Sequence, residues 1–283
     1  MIQKRNSIII PNIDQINTDQ FIMSLKVSSS CFVCCLQDDE KKMIVALEAW
    51  DIHTQDEFLD ITSAAKLLLQ QSDILKFKIK QGIIIIDNSK YTLLPEVLYT
   101  SGEDQKYLDF NNINTFHEVV YSYSINKIQS KIIYSYPKGI ENIFTPVFSN
   151  LKCIHLIDVL INTCFSINKE KENVLIHING KRMDLVITKM QSLLFCNSFQ
   201  FETAEEFIFY VLSVFKQHDL DAEIIPVYLM GEIEKESAIY GILYKFIRNI
   251  NLMKHDTSIL KSPEFNHESD HSITGLINSF LCV

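Results

Sequence analysis

The sequence predicts a two-lobed α/β protein in which each lobe consists of three antiparallel strands, a helix, a parallel strand and a helix. Three observations carry this. Short apolar runs separated by polar turns come in threes in both halves, and each triplet is followed by a Thr-x-x-Glu helix start. Spacing between the halves is also nearly constant. Positions 22 and 174, and 31 and 183, lie 152 apart, while 43 and 192, and 54 and 203, lie 149 apart. A chain of 283 residues with 47% apolar content is long enough to bury a core in each half.

In the first half, Ile22 to Val27 reads as a strand, "SSS" as a turn, Cys31 to Leu36 as a strand, "QDDEKK" as a turn and Met43 to Trp50 as a third strand. Thr54 and Glu57 form a capping box, in which each side chain satisfies a backbone N–H left open at a helix start. Phe58, Ile61, Ala65 and Leu68 then follow at helical spacing, and Ile83 to Ile86 makes a buried strand. A turn at Asn88–Ser89 leads into a strand ended by Pro95, and Glu118 to Ser124 pairs with Lys131 to Tyr136 as a further hairpin.

The second half repeats the order. Val174 to Ile178, Met183 to Ile187 and Ser192 to Phe199 are strands, the first two joined by "NGKR". Thr203 and Glu206 form the second capping box, opening a helix with Phe207, Val211, Val214 and Phe215 on its stripe. Pro226 to Met230 is a short apolar run suited to a parallel strand, followed by a helix with Ile239, Ile242, Leu243, Phe246 and Ile247 on one face. The boundary falls between Phe148 and Asn173, where "NKEKEN" reads as solvated. This gives an N-terminal lobe over 1–150 with inserted hairpins, a C-terminal lobe over 151–250 and a tail over 251–283.

Composition excludes several classes. A net charge of −9 without a dense Lys/Arg run disfavours nucleic acid, whose phosphates reward clustered cations. The N-terminal "MIQKRNSIIIP" is too short for a signal-peptide core, and no run reaches the length of a membrane helix, so a cytoplasmic location is expected. The seven cysteines sit mostly in apolar strands and read as packed, reduced thiols. With seven glycines, no Gly-Gly and no Gly-x-Gly, both the Walker and the dinucleotide phosphate loops are absent.

The segments "YTLLPEVLY" (Tyr91 to Tyr99), "FCNSFQFETAEEFIFYVL" (Phe195 to Leu212), "VYLMGEI" (Val227 to Ile233) and "LINSFLC" (Leu276 to Cys282) resemble a family of bacterial proteins of unknown function with a divergent actin-like ATPase fold. That resemblance implies two RNase H-like lobes, as in sugar kinases, chaperone ATPases and actin. Members that hydrolyse ATP carry an acid and glycines on each first-hairpin turn, for Mg²⁺ and phosphate, and a Gly-Gly beside the adenosine. Here the first turn is "KVSSSC", with neither Asp nor Gly. The second is "HINGKR", with Asn179 where an acid would stand, then Gly180 and Lys181. The adenosine-side element is "LMGEI", with Gly231 alone and Glu232 beside it. Losing the acids removes the oxygen ligands of the metal, and losing the glycines obstructs backbone contact with phosphate.

Two other motifs compete. "HESDH", His267 to His271, matches the H-E-x-x-H zinc pattern, but Pro, Asn, Ser and Asp surround it and the sequence predicts an irregular segment there. Cys31, Cys34 and Cys35 contain a C-x-x-C spacing inside a predicted strand, away from any helix N-terminus that would lower a thiol pKa. His155 and His177 lie among apolar residues as core histidines. The resulting expectation is a non-enzymatic binding or scaffold protein with an eroded nucleotide site, serving a protein partner or self-association and needing no cofactor. Asn179, Gly180, Lys181 and Gly231 are its candidate nucleotide contacts. The alternative is an ATPase or kinase-like enzyme that still uses ATP with Mg²⁺ in the cleft between lobes.

Overall fold

The computed structural model describes residues 1–53, 61–111, 118–168, 171–254, 258–265 and 270–282. They divide into two compact units, 1–158 with 258–267, and 159–257 with 268–283.

In the first unit, β1 (Ile2–Ile9), β2 (Phe21–Ser28), β3 (Cys31–Asp38) and β4 (Met43–Ile52) precede α1 (Ile61–Gln71) and β5 (Ile79–Asp87). Next come β6 (Tyr91–Pro95), α2 (Asp104–Phe110), β7 (Glu118–Ile125), β8 (Ser130–Pro137), α3 (Ile140–Phe144) and β9 (Phe148–His155). The helix α4 (Leu156–Ile167) carries the chain into the second unit. There β10 (Glu172–Asn179), β11 (Arg182–Lys189), β12 (Ser192–Gln200), α5 (Ala204–Gln217), β13 (Pro226–Gly231), α6 (Ala238–Phe246) and β14 (Asn249–Leu252) follow in order. The short strand β15 (Leu260–Lys261) returns to pair with β4, and α7 (Asp270–Asn278) belongs to the second unit.

The repeat is visible in strand pairing. The first sheet runs β1-β4-β3-β2-β5-β9 and the second β12-β11-β10-β13-β14. In both, three strands meander antiparallel and the strand after the first long helix lies parallel to the first of the three, as β2 with β5 and β10 with β13. A further parallel strand extends each sheet, β9 on β5 and β14 on β13. The inserted β6-β8-β7 sheet stands apart from the first of these.

Alternation explains which face each strand buries. In the second sheet Val174, Ile176, Ile178, Met183, Leu185 and Ile187 point to one side, where Phe207, Val211, Val214 and Phe215 of α5 and Leu243 of α6 complete a core. The opposite side receives α4, whose Cys164 thiol reaches Asn173 O, Val186 O and Thr188 Oγ1, and α7, which packs on β13. Helix α5 begins as its capping box predicts, with Thr203 Oγ1 accepting from Glu206 N–H at 3.2 Å. The reciprocal bond differs: the Glu206 carboxylate accepts from Glu202 N–H at 2.6 Å, one residue before the cap. The first capping box, Thr54 and Glu57, and with it Phe58, lies outside the described residues.

Three elements depart from the sequence pattern. The N-terminal basic run forms β1, paired with β4 through an irregularity between Lys4 and Asn6. Phe246, expected on the buried stripe of α6, is 48% exposed, because the helix ends there and Ile247 takes the buried place with extended backbone. The chain from Asp270 is helical where an irregular segment was expected. Burial of Ile273, Leu276 and Ile277 outweighs the weak helix propensity of the polar residues that open α7.

Candidate functional site

Gly231 ends β13 with φ +91°, and a Cβ built on it would lie 2.1 Å from Ile178 O on the neighbouring strand. The glycine is required because two backbones meet there and the chain then turns. The next two N–H groups are used internally. Glu232 N–H donates to Ile178 O at 2.7 Å and Ile233 N–H to Gly231 O at 3.1 Å.

The hairpin turn after β10 stands beside this glycine. Asn179 pairs with Arg182 across the turn, and Gly180 has φ +57° with open space where a Cβ would be. Its N–H donates to the Glu232 carboxylate at 3.0 Å. Lys181 forms an exposed ion pair with Glu202. The structure thus brings Gly180 and Gly231 together through Glu232, and turns Lys181 toward Glu202.

In the first unit the equivalent turn closes on itself. Ser28 Oγ accepts from Cys31 N–H at 2.9 Å and from Ser30 N–H at 3.3 Å, and donates to Cys31 O at 3.0 Å. Ser28 therefore consumes two of the turn's own donors.

Beside Gly231 lies a polar network that sequence reading assigned only as a core histidine. His177 Nδ1 lies 3.0 Å from Asp184 Oδ2, Arg182 Nη2 donates to the same oxygen at 3.2 Å, and Ser198 Oγ donates to Asp184 Oδ1 at 2.6 Å. His177 and Asp184 are both buried. The carboxylate accepts only, so the imidazole carries its proton on Nδ1. The serine donates to the carboxylate rather than to the histidine, so the order Ser–His–Asp of a nucleophilic triad is not the one formed here. The signal was available, since a two-residue turn pairing Asn179 with Arg182 also sets His177 opposite Asp184.

His155 is likewise satisfied: Nδ1 accepts from Ile157 N–H at 3.2 Å and Nε2 lies 3.3 Å from Asn88 Oδ1. Of the H-E-x-x-H pair, His267 lies outside the described residues. His271 is buried with Nε2 2.6 Å from Ile233 O, an arrangement that places the proton on the nitrogen a metal would need. Among the described residues no cluster of three His, Cys, Asp or Glu could hold a metal ion.

Cys31, Cys34 and Cys35 are free and buried in β3. Burial pushes the Cys35 thiol up to about 12 and Cys34 well above the ordinary cysteine range, the reverse of a reactive pair. At pH 8 iodoacetamide is expected to modify both at least about a hundredfold more slowly in the native protein than in guanidinium, since attack needs the thiolate. Peptide mapping by mass spectrometry reads this directly, and rapid native alkylation would contradict it.

Among the described residues no helix is long and apolar enough to cross a membrane. No curated protein matches the chain. Among solved structures, a protein from Bacteroides thetaiotaomicron VPI-5482 with actin-like ATPase fold and unknown function aligns with a TM-score of 0.72 at 19% identity, covering 86% of this chain and 94% of that one. The PilM-PilN type IV pilus biogenesis complex aligns with a TM-score of 0.54 at 11% identity, covering 92% and 96%. Both likenesses show the fold, which is that of the actin-like ATPases. The family profile described as "Protein of unknown function (DUF3822)" matches residues 10–250, more than four-fifths of the sequence, and the chain belongs to that family.

Proposed function

We propose that this chain is a non-catalytic binding or scaffold protein of the actin-like fold whose nucleotide site has been lost. One observation carries the reading. At each of the three places where a nucleotide of this fold would meet the backbone, N–H groups are engaged within the protein: those of Ser30 and Cys31 by Ser28 in the first turn, that of Gly180 by Glu232, and that of Glu232, beyond Gly231, by Ile178 O. Neither turn carries an acid of its own for Mg²⁺, and Asn179 stands where the second acid would be. The exposed Lys181 is drawn to Glu202.

A scaffold role suits the comparison in which a protein of the same fold stands in a two-protein complex. Buried thiols such as those of Cys31, Cys34 and Cys35 suit a reducing, cytoplasmic compartment. The test is a thermal-shift titration with ATP and ADP, with and without Mg²⁺. A ligand that binds only the folded state raises the melting temperature once its concentration passes the dissociation constant. No shift at millimolar nucleotide is expected; a saturable rise that requires Mg²⁺ would overturn the reading in favour of an ATPase or kinase-like enzyme.

A further inference from the structure

Two surfaces, one on each unit, match each other in chemistry. The first is an apolar tip. After Pro95 ends β6, a single turn exposes Val97 at 92% and Leu98 at 62%, with Glu96 exposed beside them. This tip is fixed from below. Glu96 N–H donates to Gln129 O at 3.0 Å and Tyr99 N–H to Glu96 O at 3.1 Å. Tyr107 Oη donates to Leu98 O at 3.1 Å and accepts from Thr100 N–H at 2.9 Å. The Tyr99 ring stacks on Tyr107 and carries Lys131 Nζ 4.2 Å from its centre on the ring face. Exposed aliphatic side chains on so constrained a turn lose little freedom on binding, which is what a docking anchor needs.

The second surface is a groove of about 540 Å³ at the end of the second sheet where β10 and β13 begin. Met190, Ile224 and Pro226 line it, together with Lys171 and the Lys189–Glu172 ion pair. Met190 and Gln191 make the two-residue turn between β11 and β12 with φ of +44° and +69°. That turn favours Asn, Asp or Gly, so a methionine there, 68% exposed, gives up backbone ease to present a thioether to solvent. Methionine is an adaptable contact residue, and Ile224 beside it is 67% exposed.

We infer that the Glu96–Leu98 tip of one copy docks in the Met190–Ile224 groove of another, with Glu96 drawn to Lys171. Copies of a chain with net charge −9 repel, so a contact between them needs this local pairing of an acid with a lysine. Tip and groove are different surfaces, so the contact is head-to-tail, and each complex still offers one free tip at one end and one free groove at the other. The contact rests on the binding-protein reading above and adds its partner. A nucleotide-dependent melting shift would sink that reading whatever the association shows, whereas a monomeric wild type would sink this contact alone.

Sedimentation velocity over a wide concentration series tests it. Wild type is expected to show a weight-average coefficient that climbs with concentration, while Leu98→Asp and Met190→Asp each stay monomeric throughout. Aspartate is favoured in the Met190 turn, so Met190→Asp should melt no lower than wild type, which separates lost docking from lost folding. The decisive arm mixes the two variants. The intact groove of Leu98→Asp takes the intact tip of Met190→Asp, giving a complex that stops at two copies. A wild type monomeric at the highest concentration, association that survives either substitution, or a mixture that stays monomeric would each overturn the inference.

Discussion

Gly231→Ala is expected to destabilise the protein by about 3 kcal/mol, because the new Cβ meets a neighbouring backbone and the residue must hold an unfavourable φ. The methyl group would lie 2.1 Å from Ile178 O and 3.0 Å from both Ile178 N and His177 Cδ2. None of the backbone atoms can swing aside as a flexible side chain would. Gly180→Ala is the matched control: its φ of +57° is also left-handed, yet nothing lies within 4 Å of its Cβ. That variant should lose only about 1 kcal/mol, the ordinary strain of an L-residue in this region. Urea unfolding of the two variants side by side separates close approach from conformational strain. Equal losses would show that Gly231 is needed only for its dihedral angles.

Glu48→Ala is expected to cost about 3 kcal/mol, since it strands two buried donors and two partly buried ones at once. Glu48 on β4 is fully buried, and its carboxylate accepts from Ser72 Oγ at 2.5 Å, Lys4 Nζ at 3.2 Å, Asp73 N–H at 3.2 Å and Trp50 Nε1 at 3.3 Å. One side chain thereby ties β1 and β4 to the end of α1. Glu48→Gln keeps the shape and part of the bonding, so it should lose about half as much. A wild-type-like unfolding midpoint for Glu48→Ala would mean that water enters and replaces the carboxylate.

Much of the architecture was written in local signals. Alternation and turn residues placed β2, β3, β4, β10, β11 and β12 to within a residue or two at most ends, because a strand buried on one or both faces must keep a strict apolar pattern. Thr203 and Glu206 located α5 for the same kind of reason, the cap bond being made between residues three apart. What escaped was decided at a distance. Pairing with β4 makes a strand of the charged N-terminal run, and burial against the second unit's sheet makes a helix of α7. At the candidate site, the residues that make up each turn could be read directly. The fate of the backbone donors could not, because the bond from Gly180 to Glu232 joins residues 52 apart and appears only once β10 and β13 lie side by side.

The central claim is that these donors are already engaged, and amide chemical shifts report it most directly. With only seven glycines, the Gly180 and Gly231 cross-peaks can be resolved in a ¹⁵N correlation spectrum of the perdeuterated protein. Titration with Mg²⁺ and ATP to millimolar concentration is predicted to leave both unmoved, while Glu232→Gln shifts Gly180 by changing its acceptor. Saturable movement of Gly180 and Gly231 together on adding nucleotide would contradict the account and return both residues to a working ATP site.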